Sequence, residues 1–427
     1  MHHVASHTPL AGTHAVVVNW RDLEHSLAGG SERYAWEYAT ALRAAGARVE
    51  FITARDRGQR RHDLRDGIEV HRGGGAFGFY AFAACSLLKR RRTLDVVIDP
   101  ECGIPSFSPL YVRRSTAVVL VVHHVHQEQF TTYFPTPLAR LGQWLERVAM
   151  RRVYRRRRTV AVSESTRDEM FTQLDWDSPV SIIGNGTAAP LVAAGESDPA
   201  SAEAFLAKDP DRLLVLGRLV PHKRVDLVLR AMHALRHERP GLHLDVCGKG
   251  PQLDRLRWIA ADLDLADRVT FHGYVAESTK QALLRRAALH VCASDIEGWG
   301  QVVIEAAGYG IPTVARDVPG LRDSIRDGET GWLVPDSDDL AVVQTRLTDA
   351  IRSALDDLEA PRRRRLAFEA STTWAAGFSW SRMHHEAVEL VVDERQALRG
   401  VPRHAPSVSL PASVTAAPAV TAATTER

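Results

Sequence analysis

The composition of the chain is that of a large globular protein. It has 427 residues, of which 45% are hydrophobic and 25% are charged, and this length favours two domains over a single core. The 54 Lys and Arg residues nearly balance the 52 Asp and Glu residues, so the net charge of +2 does not indicate a nucleic-acid partner. Because arginine far outnumbers lysine, we expect a bacterial source with a GC-rich genome.

Cysteine usage and hydropathy predict a cytoplasmic protein. The four cysteines are scattered without a CxxC pair, which favours a reducing compartment and no structural metal. The N-terminus lacks the apolar core of a signal peptide. The longest apolar run, at residues 76–88, is shorter than the ~20 residues that span a bilayer, and we interpret it as a buried helix. Peripheral contact with the inner face of the membrane stays open.

Short β-branched runs alternate with helical patterns along the chain, which is typical of parallel sheets covered by helices on both faces. In the first half we predict strands at residues 15–19, 49–53, 96–99, 117–122, 159–163 and 180–183. In the second half we predict strands at residues 213–217, 244–248, 269–273, 289–293 and 312–315. Two such series predict an α/β protein with two doubly wound, Rossmann-like domains.

Changes in composition mark the domain boundaries. We place the first domain at residues 1–187, a linker containing Pro, Gly and Ser at 188–211, and the second domain at 212–377. A helix is predicted over 378–399. The end of the chain, 400–427, is rich in Pro, Ala, Ser and Thr and is predicted to be a disordered tail.

Glycines at strand-to-helix turns can bring backbone N–H groups close to a phosphate. Such turns occur at Gly29-Gly30, Gly217, Gly248–Gly250 and Gly298–Gly300. The segment from Gly248 lacks the third glycine of a nicotinamide-binding GxGxxG sequence, and the chain contains no GxxxxGK[ST] loop. Dinucleotide redox chemistry is therefore disfavoured.

Two cations follow the first strand of the second domain. Arg218 comes directly after the predicted strand at 213–217, and Lys223 lies just before a helix rich in Val and Leu. Doubly wound sheets bind ligands at the carboxyl ends of their strands, where this pair could neutralise a diphosphate and the charge that develops as it leaves. The alternative is a pair of solvated surface charges.

The segment DIEGWGQVVIE, residues 295–305, contains two glutamates. A helix beginning at Gly300 would place Glu305 on the same face as Gln301, toward the cleft, and Glu297 in the loop before the helix. The glutamates could be the acid/base couple of a glycosidase, stabilising residues of a helix start, or two contacts to one elongated ligand. Catalytic pairs of glycosidases usually come from different loops, so we favour one ligand, with Glu297 at a sugar and Glu305 at the ribose of a nucleotide.

These features together resemble the retaining nucleotide-sugar-dependent glycosyltransferases of the GT-B fold (glycosyl transferases group 1, or glycosyltransferase family 4-like). The resemblance covers roughly residues 15–398 and is most specific where the Arg218/Lys223 segment is joined to the Glu297/Glu305 segment. The matching segments are residues 29–49, 162–170, 182–186, 215–232, 247–251, 269–275 and 295–334. The family implies two doubly wound domains that face across a cleft, with a last helix that crosses back onto the first domain.

The resemblance implies a role for each matching residue. Gly29 and Gly30 would meet the donor diphosphate from the first domain, and Arg218 and Lys223 would clamp it from the second. Glu297 would hold the donor sugar beneath the reacting carbon. The rest of the implied substrate site consists of Gly248, the backbone of Tyr274 and Val275 at the base, Gly298, Trp299, Gly300 and Glu305.

The family also implies a histidine near the donor sugar, after a strand of the first domain. In VLVVHHVHQEQF the best match is His123, with His124 and His126 as alternatives, and a purely structural role for His123 is equally open. The family implies no metal or other cofactor, because cations and helix ends neutralise the diphosphate. The Asp-x-Asp pattern of metal-dependent enzymes occurs at residues 175–177, 262–264 and 336–338. We interpret all three as chance, since we place them far from strand ends with supporting motifs.

The resemblance implies a retaining, metal-independent hexosyltransferase (EC 2.4) with His123, Arg218, Lys223 and Glu297 as its catalytic set. It would move a sugar from a UDP- or GDP-sugar to a hydroxyl of a small-molecule, glycan or lipid-linked acceptor. The alternatives are a non-catalytic sugar-nucleotide-binding protein and a GT-B hydrolase or phosphorylase. The arginine-rich segment 151–158 is either a solvated helix end or a basic patch for a phosphorylated acceptor or an anionic membrane surface.

Overall fold

The computed structural model describes residues 8–187, 205, 208–402 and 408–409. Within these residues the chain forms two mainly parallel sheets, one of nine strands and one of six. Apolar clusters lie on both faces of each sheet, under helices, as the alternating pattern of the sequence predicts. The two sheets form two Rossmann-like domains that face across a cleft, which is the GT-B fold.

The first domain is built on the nine-stranded sheet. Its strands are β1 (His14–Val18), β2 (Arg48–Ala54), β3 (His62–Arg65), β4 (Ile68–Gly73), β5 (Val96–Pro100), β6 (Ala117–Val122), β7 (Arg158–Ala161), β8 (Val180–Ile183) and β15 (Val408–Ser409). They lie in the order β15-β8-β7-β6-β5-β1-β2-β4-β3 and pair in parallel except for β3 with β4. All six residues of the central strand β6 are buried, as expected for an apolar strand covered on both faces.

Helices cover the nine-stranded sheet on both faces. They are α1 (Gly30–Ala44), α2 (Gly75–Arg90), α3 (Gln127–Tyr133), α4 (Thr136–Trp144), α5 (Arg151–Tyr154) and α6 (Glu164–Gln173), with a π-helical turn (Leu145–Met150) between α4 and α5. In α2 the residues Phe79, Ala83 and Leu87 recur every four positions and are buried. The predicted helix is confirmed, but it is buried on one face, since Cys85 and Leu88 are exposed. None of the described helices combines the length and the apolarity needed to cross a bilayer.

The second domain is built on the six-stranded sheet. Its strands are β9 (Asp209–Leu216), β10 (His243–Cys247), β11 (Val269–Gly273), β12 (Ala287–Cys292), β13 (Thr313–Arg316) and β14 (Gly331–Val334). They lie in the order β11-β10-β9-β12-β13-β14, all parallel. Its helices are α7 (Val225–Leu235), α8 (Leu253–Asp262), α9 (Glu277–Arg286), α10 (Gln301–Gly308), α11 (Leu321–Ser324), α12 (Leu340–Glu359) and α13 (Pro361–Ala376).

The last helix, α14 (Trp380–Ala397), packs on the first domain although it follows the second. Its residues Met383 and Val391 are fully buried in the core that includes α1. Nε2 of His384 lies 2.7 Å from Oε2 of Glu37 on α1. The helix therefore links the second domain to the first through its buried apolar side chains and the contact between His384 and Glu37.

The structure adds strands that the sequence analysis missed. The segment from β3 to β4 is an edge hairpin that turns at Asp66 and Gly67, whose φ angles of +49° and +73° are those of a tight hairpin turn. β4 alternates buried and half-buried residues, so it lacks the continuous apolar run that identified the other strands. β14 was also missed, and β9 begins at Asp209, inside the predicted linker 188–211. Most of that linker and nearly all of the predicted tail, 400–427, lie outside the described residues.

Candidate functional site

Arg218 and Lys223 lie at the carboxyl end of β9, in the middle of the second sheet. Gly217, with a φ angle of +135°, turns the chain out of the strand, and Lys223 ends a short 3₁₀ turn (Pro221–Lys223) before α7. The strand order reverses between β9 and β12, so the crevice outside these two strands is the switch point where doubly wound sheets bind ligands. Both predicted cations therefore border this crevice.

Lys223 and Glu297 form an ion pair across the switch point. Nζ of Lys223 contacts Oε1 of Glu297, and the same oxygen accepts a hydrogen bond of 3.0 Å from Oγ of Ser294. Burial of the ammonium group is the largest single effect and opposes its charge, but Glu297 and Cys292 together outweigh it, so the pKa of Lys223 is raised. Lys223 thus stays protonated, and it holds Glu297 at the carboxyl end of β12.

The loop that carries Glu297 touches the first domain. A Cβ atom on Gly298 would collide with the carbonyl oxygen of His123 and would lie 3.2 Å from Cβ of His124. Gly320, with a φ angle of +80°, packs equally closely under the carbonyl group of Glu297. Glycine is therefore required at position 298 for the close approach of the two domains, and this approach brings His123 next to the Glu297 loop.

Gly29 and Gly30 lie at the start of α1, opposite Arg218. The N–H of Gly29 donates to Oε2 of Glu32 at 2.7 Å, and Glu32 is ion-paired with Arg21 at 2.8 Å. The guanidinium of Arg218 lies 4.0 Å from the position that a Cβ atom on Gly29 would take, whereas the space around Gly30 is open. The cation of the second domain thus faces the N-terminus of a helix of the first, a pairing suited to an anion between them.

Glu305 lies on α10 and has a cationic partner that the sequence analysis did not identify. Its Oε2 is 3.5 Å from Nζ of Lys280 on α9, and Lys280 also contacts Oε1 of Glu277 at 3.1 Å. Burial raises the pKa of Glu305 although Lys280 opposes the shift. One turn earlier, Nε2 of Gln301 donates to the carbonyl oxygen of Gly186 in the first domain at 2.9 Å. This face of α10 therefore lies toward the first domain, as predicted.

Tyr274 and Val275 follow β11 on one side of the switch point. Tyr274 is 79% exposed, and Nζ of Lys249 lies 5.0 Å from the centre of its ring, while Val275 is half-buried. Gly248 has a φ angle of +155°, and a Cβ atom there would collide with the carbonyl oxygen of Gly217. Its N–H donates to the carbonyl oxygen of Gly273, at the end of β11, at 2.8 Å. Gly248 therefore shapes the turn, and its N–H is not available to a ligand.

His123 is buried at the end of β6. Its ring packs edge-to-face on Tyr34 with 5.2 Å between the ring centres, and its Nε2 has no hydrogen-bond partner among the described residues. Burial lowers the pKa of His123 to about 3, with a smaller contribution from His126, so the imidazole is neutral near pH 7. The alternatives have partners, since Nε2 of His124 is 3.4 Å from Oε1 of Gln129 and His126 lies beside Glu146.

Trp299 and Gly300 connect the Glu297 loop to α10. The indole of Trp299 is 6% exposed and packs against Phe378, with 5.1 Å between the ring centres. A substrate contact at Trp299 would therefore involve its backbone, because the ring is occupied by packing. A Cβ atom on Gly300 would collide with the side chain of Ser324 on α11, so glycine is needed there for packing.

Arg316 and Asp295 support the Glu297 loop and were missed in the sequence. Arg316, at the end of β13, is ion-paired with Asp295, whose N–H donates to the carbonyl oxygen of His222 at 2.8 Å. Nε of Arg316 also donates to Asp336 at 3.1 Å. Asp336 comes just after β14, so the expectation that every Asp-x-Asp pattern lies far from a strand end is wrong for residues 336–338. Its carboxylate is neutralised by Arg316.

The arginines of the segment 151–158 lie in different environments. Arg158 begins β7, is 8% exposed and is ion-paired with Asp393 of α14, so it faces the core and not a basic patch. Arg151 donates to the carbonyl oxygen of Asp175 at 2.8 Å. Arg152, in contrast, is exposed. The segment therefore does not form one continuous basic surface.

Family models match most of the chain. The model described as Glycosyltransferase Family 4 matches residues 28–189, which include the segments of Gly29 and His123 in the first domain. The model described as Glycosyl transferases group 1 matches residues 197–370, which include the Arg218, Lys223 and Glu297 segments. Each domain of the structure thus corresponds to one family model.

Two curated relatives agree with these matches. The chain is 32% identical over 198 residues to the GDP-mannose-dependent alpha-(1-6)-phosphatidylinositol monomannoside mannosyltransferase of Mycolicibacterium smegmatis, covering 43% of this chain and 48% of that protein. It is 27% identical over 331 residues to the alpha-D-kanosaminyltransferase of Streptomyces kanamyceticus, covering 72% and 82%. The match thus spans about half the length of the first relative.

The fold is shared with a sucrose-phosphate synthase from Thermosynechococcus elongatus. The two structures superpose with a TM-score of 0.72 over 91% of this chain and 100% of the other, at 19% sequence identity. With both family models matched in order and the two-domain fold in place, the chain belongs to the GT-B glycosyltransferases, as a glycosyltransferase family 4-like protein.

Proposed function

We propose that this protein is a retaining glycosyltransferase (EC 2.4, hexosyltransferase type) that moves a sugar from a nucleoside diphosphate donor to an acceptor hydroxyl. The observation that carries the proposal is the Lys223–Glu297 ion pair at the switch point, with Arg218 facing Gly29 across the cleft. Cations beside a carboxylate suit a donor whose anionic diphosphate and neutral sugar lie next to each other.

The chemical step would follow from these positions. The bond from the sugar C1 to the diphosphate oxygen breaks, a bond from C1 to the acceptor oxygen forms, and the acceptor proton passes to the departing diphosphate. Arg218 and Lys223 would stabilise the charge that develops on the diphosphate. Glu297 would either form a covalent adduct with C1, which the acceptor then displaces, or position the sugar while the acceptor attacks from the face that the diphosphate leaves. Both courses retain the anomeric configuration.

Positive charge from the protein makes a metal unnecessary at the diphosphate. Arg218, Lys223 and the N-terminus of α1 would surround it with two cationic side chains and a helix end. We therefore expect turnover in buffer without Mg²⁺, unchanged when Mg²⁺ is added. A turnover rate that depends on added Mg²⁺ would contradict this part of the proposal.

The donor is proposed to be a UDP- or GDP-sugar. Glu305 would accept hydrogen bonds from the ribose, and the backbone at Tyr274 and Val275 would receive the base. The relative from Mycolicibacterium smegmatis is named for GDP-mannose, which makes that sugar nucleotide the first to test. The proposed contacts of Arg218, Lys223 and Glu297 are to the diphosphate and the sugar, so they are compatible with either base.

Helix α4 of the first domain carries an exposed apolar stripe. On α4, Leu138, Leu141 and Trp144 recur every three residues and are 55%, 51% and 51% exposed. Exposed arginines occur on the same helical stretch, at Arg140 and Arg152. Apolar side chains with arginines nearby suit peripheral contact with an anionic membrane surface. The stripe therefore favours a lipid-linked acceptor and a location at the inner face of the membrane.

Vesicle sedimentation tests the membrane contact. We expect the protein to sediment with vesicles of phosphatidylcholine and phosphatidylglycerol more than with phosphatidylcholine alone. Changing Leu138, Leu141 and Trp144 together to serine should release it. The matched control is Trp258→Ser on α8, since Trp258 is 65% exposed but lies on the second domain. Equal sedimentation of the triple variant and the wild type would contradict the assignment of α4.

Incubation with a panel of UDP-, GDP- and dTDP-sugars tests the proposed activity. We expect slow release of the nucleoside diphosphate from one donor class in the absence of an acceptor, and faster release when the correct acceptor is added. A sugar-nucleotide sensor would bind a donor without releasing the nucleotide. A hydrolase or phosphorylase would cleave a glycoside without any nucleotide. Either result would contradict the transferase proposal.

A further inference from the structure

The first domain contains a buried cluster of three ligand-type side chains, Glu101, His126 and Glu146. Glu101 directly follows β5, His126 directly precedes α3, and Glu146 lies in the π-helical turn. Their side chains are 0%, 9% and 0% exposed, and one nitrogen or oxygen from each lies within 4.8 Å of the others. Three separate parts of the chain thus converge on one enclosed point.

Glu101 is the unsatisfied member of the cluster. Neither of its carboxylate oxygens has a hydrogen-bond partner among the described residues, and Nδ1 of His126 is 3.7 Å from Oε1. A buried carboxylate that accepts no hydrogen bond is costly, so this point of the protein favours an additional positive charge.

Hydrogen bonds from the His126 backbone and from Gln127 hold Glu146 in position. The N–H of His126 donates to Oε1 of Glu146 at 2.6 Å, and Nε2 of Gln127 donates to Oε2 at 2.6 Å. Gln127 is held in turn by Gln143, whose Nε2 donates to its carbonyl oxygen at 2.9 Å. Hydrogen bonds of this kind fix the ligands of metal sites, and π-helical turns often occur at functional sites.

The spacing of the ligand atoms suits a metal ion. Nδ1 of His126 is 3.2 Å from Oε1 of Glu146 and 3.7 Å from Oε1 of Glu101. Atoms that each lie ~2.0–2.2 Å from a divalent cation are about 2.8–3.6 Å apart in octahedral or tetrahedral geometry. A small rotation of Glu101 toward His126 would therefore complete three bonds to one ion.

We propose that Glu101, His126 and Glu146 bind one divalent transition-metal ion, Zn²⁺ or Mn²⁺, as a structural centre of the first domain. An imidazole with two carboxylates favours these ions over Ca²⁺ and Mg²⁺, which prefer oxygen ligands alone. The ion would neutralise both carboxylates and would join β5, the segment after β6 and the π-helical turn. It takes no part in the proposed sugar transfer, so the two proposals stand separately.

A second cluster in the same domain provides the control. Glu50, Glu69 and His71 also lie within 4.8 Å of one another. However, Oε2 of Glu50 already accepts from Nε of Arg90 at 2.8 Å, and its Oε1 is 2.8 Å from Nε2 of His14. Because an arginine neutralises this carboxylate, we expect no ion there, and His71→Asn should leave metal binding unchanged.

The experiment uses the full chain, purified without a polyhistidine tag and stripped of metal by a chelator. Equilibrium dialysis against ZnCl₂ or MnCl₂, with metal analysis, should give one ion per chain, and the melting temperature should rise on loading. Glu101→Gln and His126→Asn should weaken binding by about 100-fold or more, whereas His71→Asn should match the wild type.

A second measurement keeps the proposal testable if the variants fail to fold. Co²⁺ added to the stripped wild-type protein should give visible absorption bands of nitrogen and oxygen coordination, and Zn²⁺ should remove them. The proposal is overturned if the wild type binds no stoichiometric ion and shows neither the change in melting temperature nor the bands. It is also overturned if a folded Glu101→Gln variant binds metal as tightly as the wild type.

Discussion

The ammonium group of Lys223 is ion-paired with the carboxylate of Glu297 at the point where the strand order of the second sheet reverses. The family resemblance implies that Lys223 binds the diphosphate of the donor and that Glu297 binds its sugar. Their contact means that both parts of the donor would meet at one place. We infer that Lys223 holds Glu297 in position before the donor binds and then shares its charge with the diphosphate.

Removing either member of this pair should abolish most transfer without unfolding the protein. For Glu297→Gln and Lys223→Met we expect kcat to fall by about 10²–10³-fold, because each change removes a charge at the reacting centre. Arg230→Met, a change of an exposed arginine on α7, should have no effect. Steady-state kinetics with the preferred donor, beside circular dichroism, would check this, and near wild-type turnover in Glu297→Gln would remove that residue from its role.

Glu305 should act on donor affinity and not on the chemical step. For Glu305→Gln we expect KM for the donor to rise by about 10–100-fold with little change in kcat, since a hydrogen-bonded contact to the ribose would be weakened. The wild type should bind a nucleoside diphosphate more tightly than its 2′-deoxy form. Calorimetry with both ligands would show whether the variant loses this preference, and an unchanged preference would place the ribose elsewhere.

Arg316 should act as a positioning residue for the Glu297 loop. From the end of β13 it holds Asp295 and Asp336, which follow the two strands on either side, β12 and β14. For Arg316→Met we expect kcat to fall by about 10–100-fold, because a small displacement of the loop misplaces Glu297. The dissociation constant of the nucleoside diphosphate should change little, and Arg316→Lys should recover part of the loss. A parallel loss of nucleotide binding would instead indicate a general role in stability.

The contact between Glu37 and His384 should make the docking of α14 sensitive to acid. Burial acts against the charge of Glu37, but His384 and Arg33 outweigh it, so the pKa of Glu37 is lowered from 4.5. A lowered folded-state pKa contributes stability above pH ~4.5, which is lost as the pH falls through the lowered value. Glu37→Gln should therefore reduce the unfolding free energy at pH 7 more than at pH 3. An equal reduction at both pH values, measured by urea unfolding, would contradict this.

The buried strands β6 and β8 have the predicted bounds, because each is a short run of mostly apolar residues. β11 also has the predicted bounds, although only its first residue is buried, and the apolar helix α2 was recognised from its length and composition. The edge hairpin of β3 and β4 was not, because its polar alternation is weaker than the signal of an apolar run. The Asp66-Gly67 pair was the available signal for its turn.

The residues of the candidate site could be predicted from the sequence, but their partners could not. Arg218, Lys223, Glu297 and Glu305 could be placed because each lies next to a strand end or on a short helix that follows one. Their partners depend on contacts between distant elements. Lys280 meets Glu305 only because α9 packs beside α10, and Arg316 reaches Asp295 only because β12 and β13 are neighbours. No spacing along the chain could have indicated these pairs.

Donor hydrolysis followed by proton NMR tests the central claim most directly, because it needs no acceptor. The protein would be incubated with GDP-mannose or UDP-glucose, and the released sugar would be observed before it equilibrates between its two anomers. We expect the first sugar released to keep the α configuration of the donor and Glu297→Gln to slow its release. Release of the β anomer first, or equal rates for the variant and the wild type, would contradict a retaining transferase centred on the Lys223–Glu297 pair.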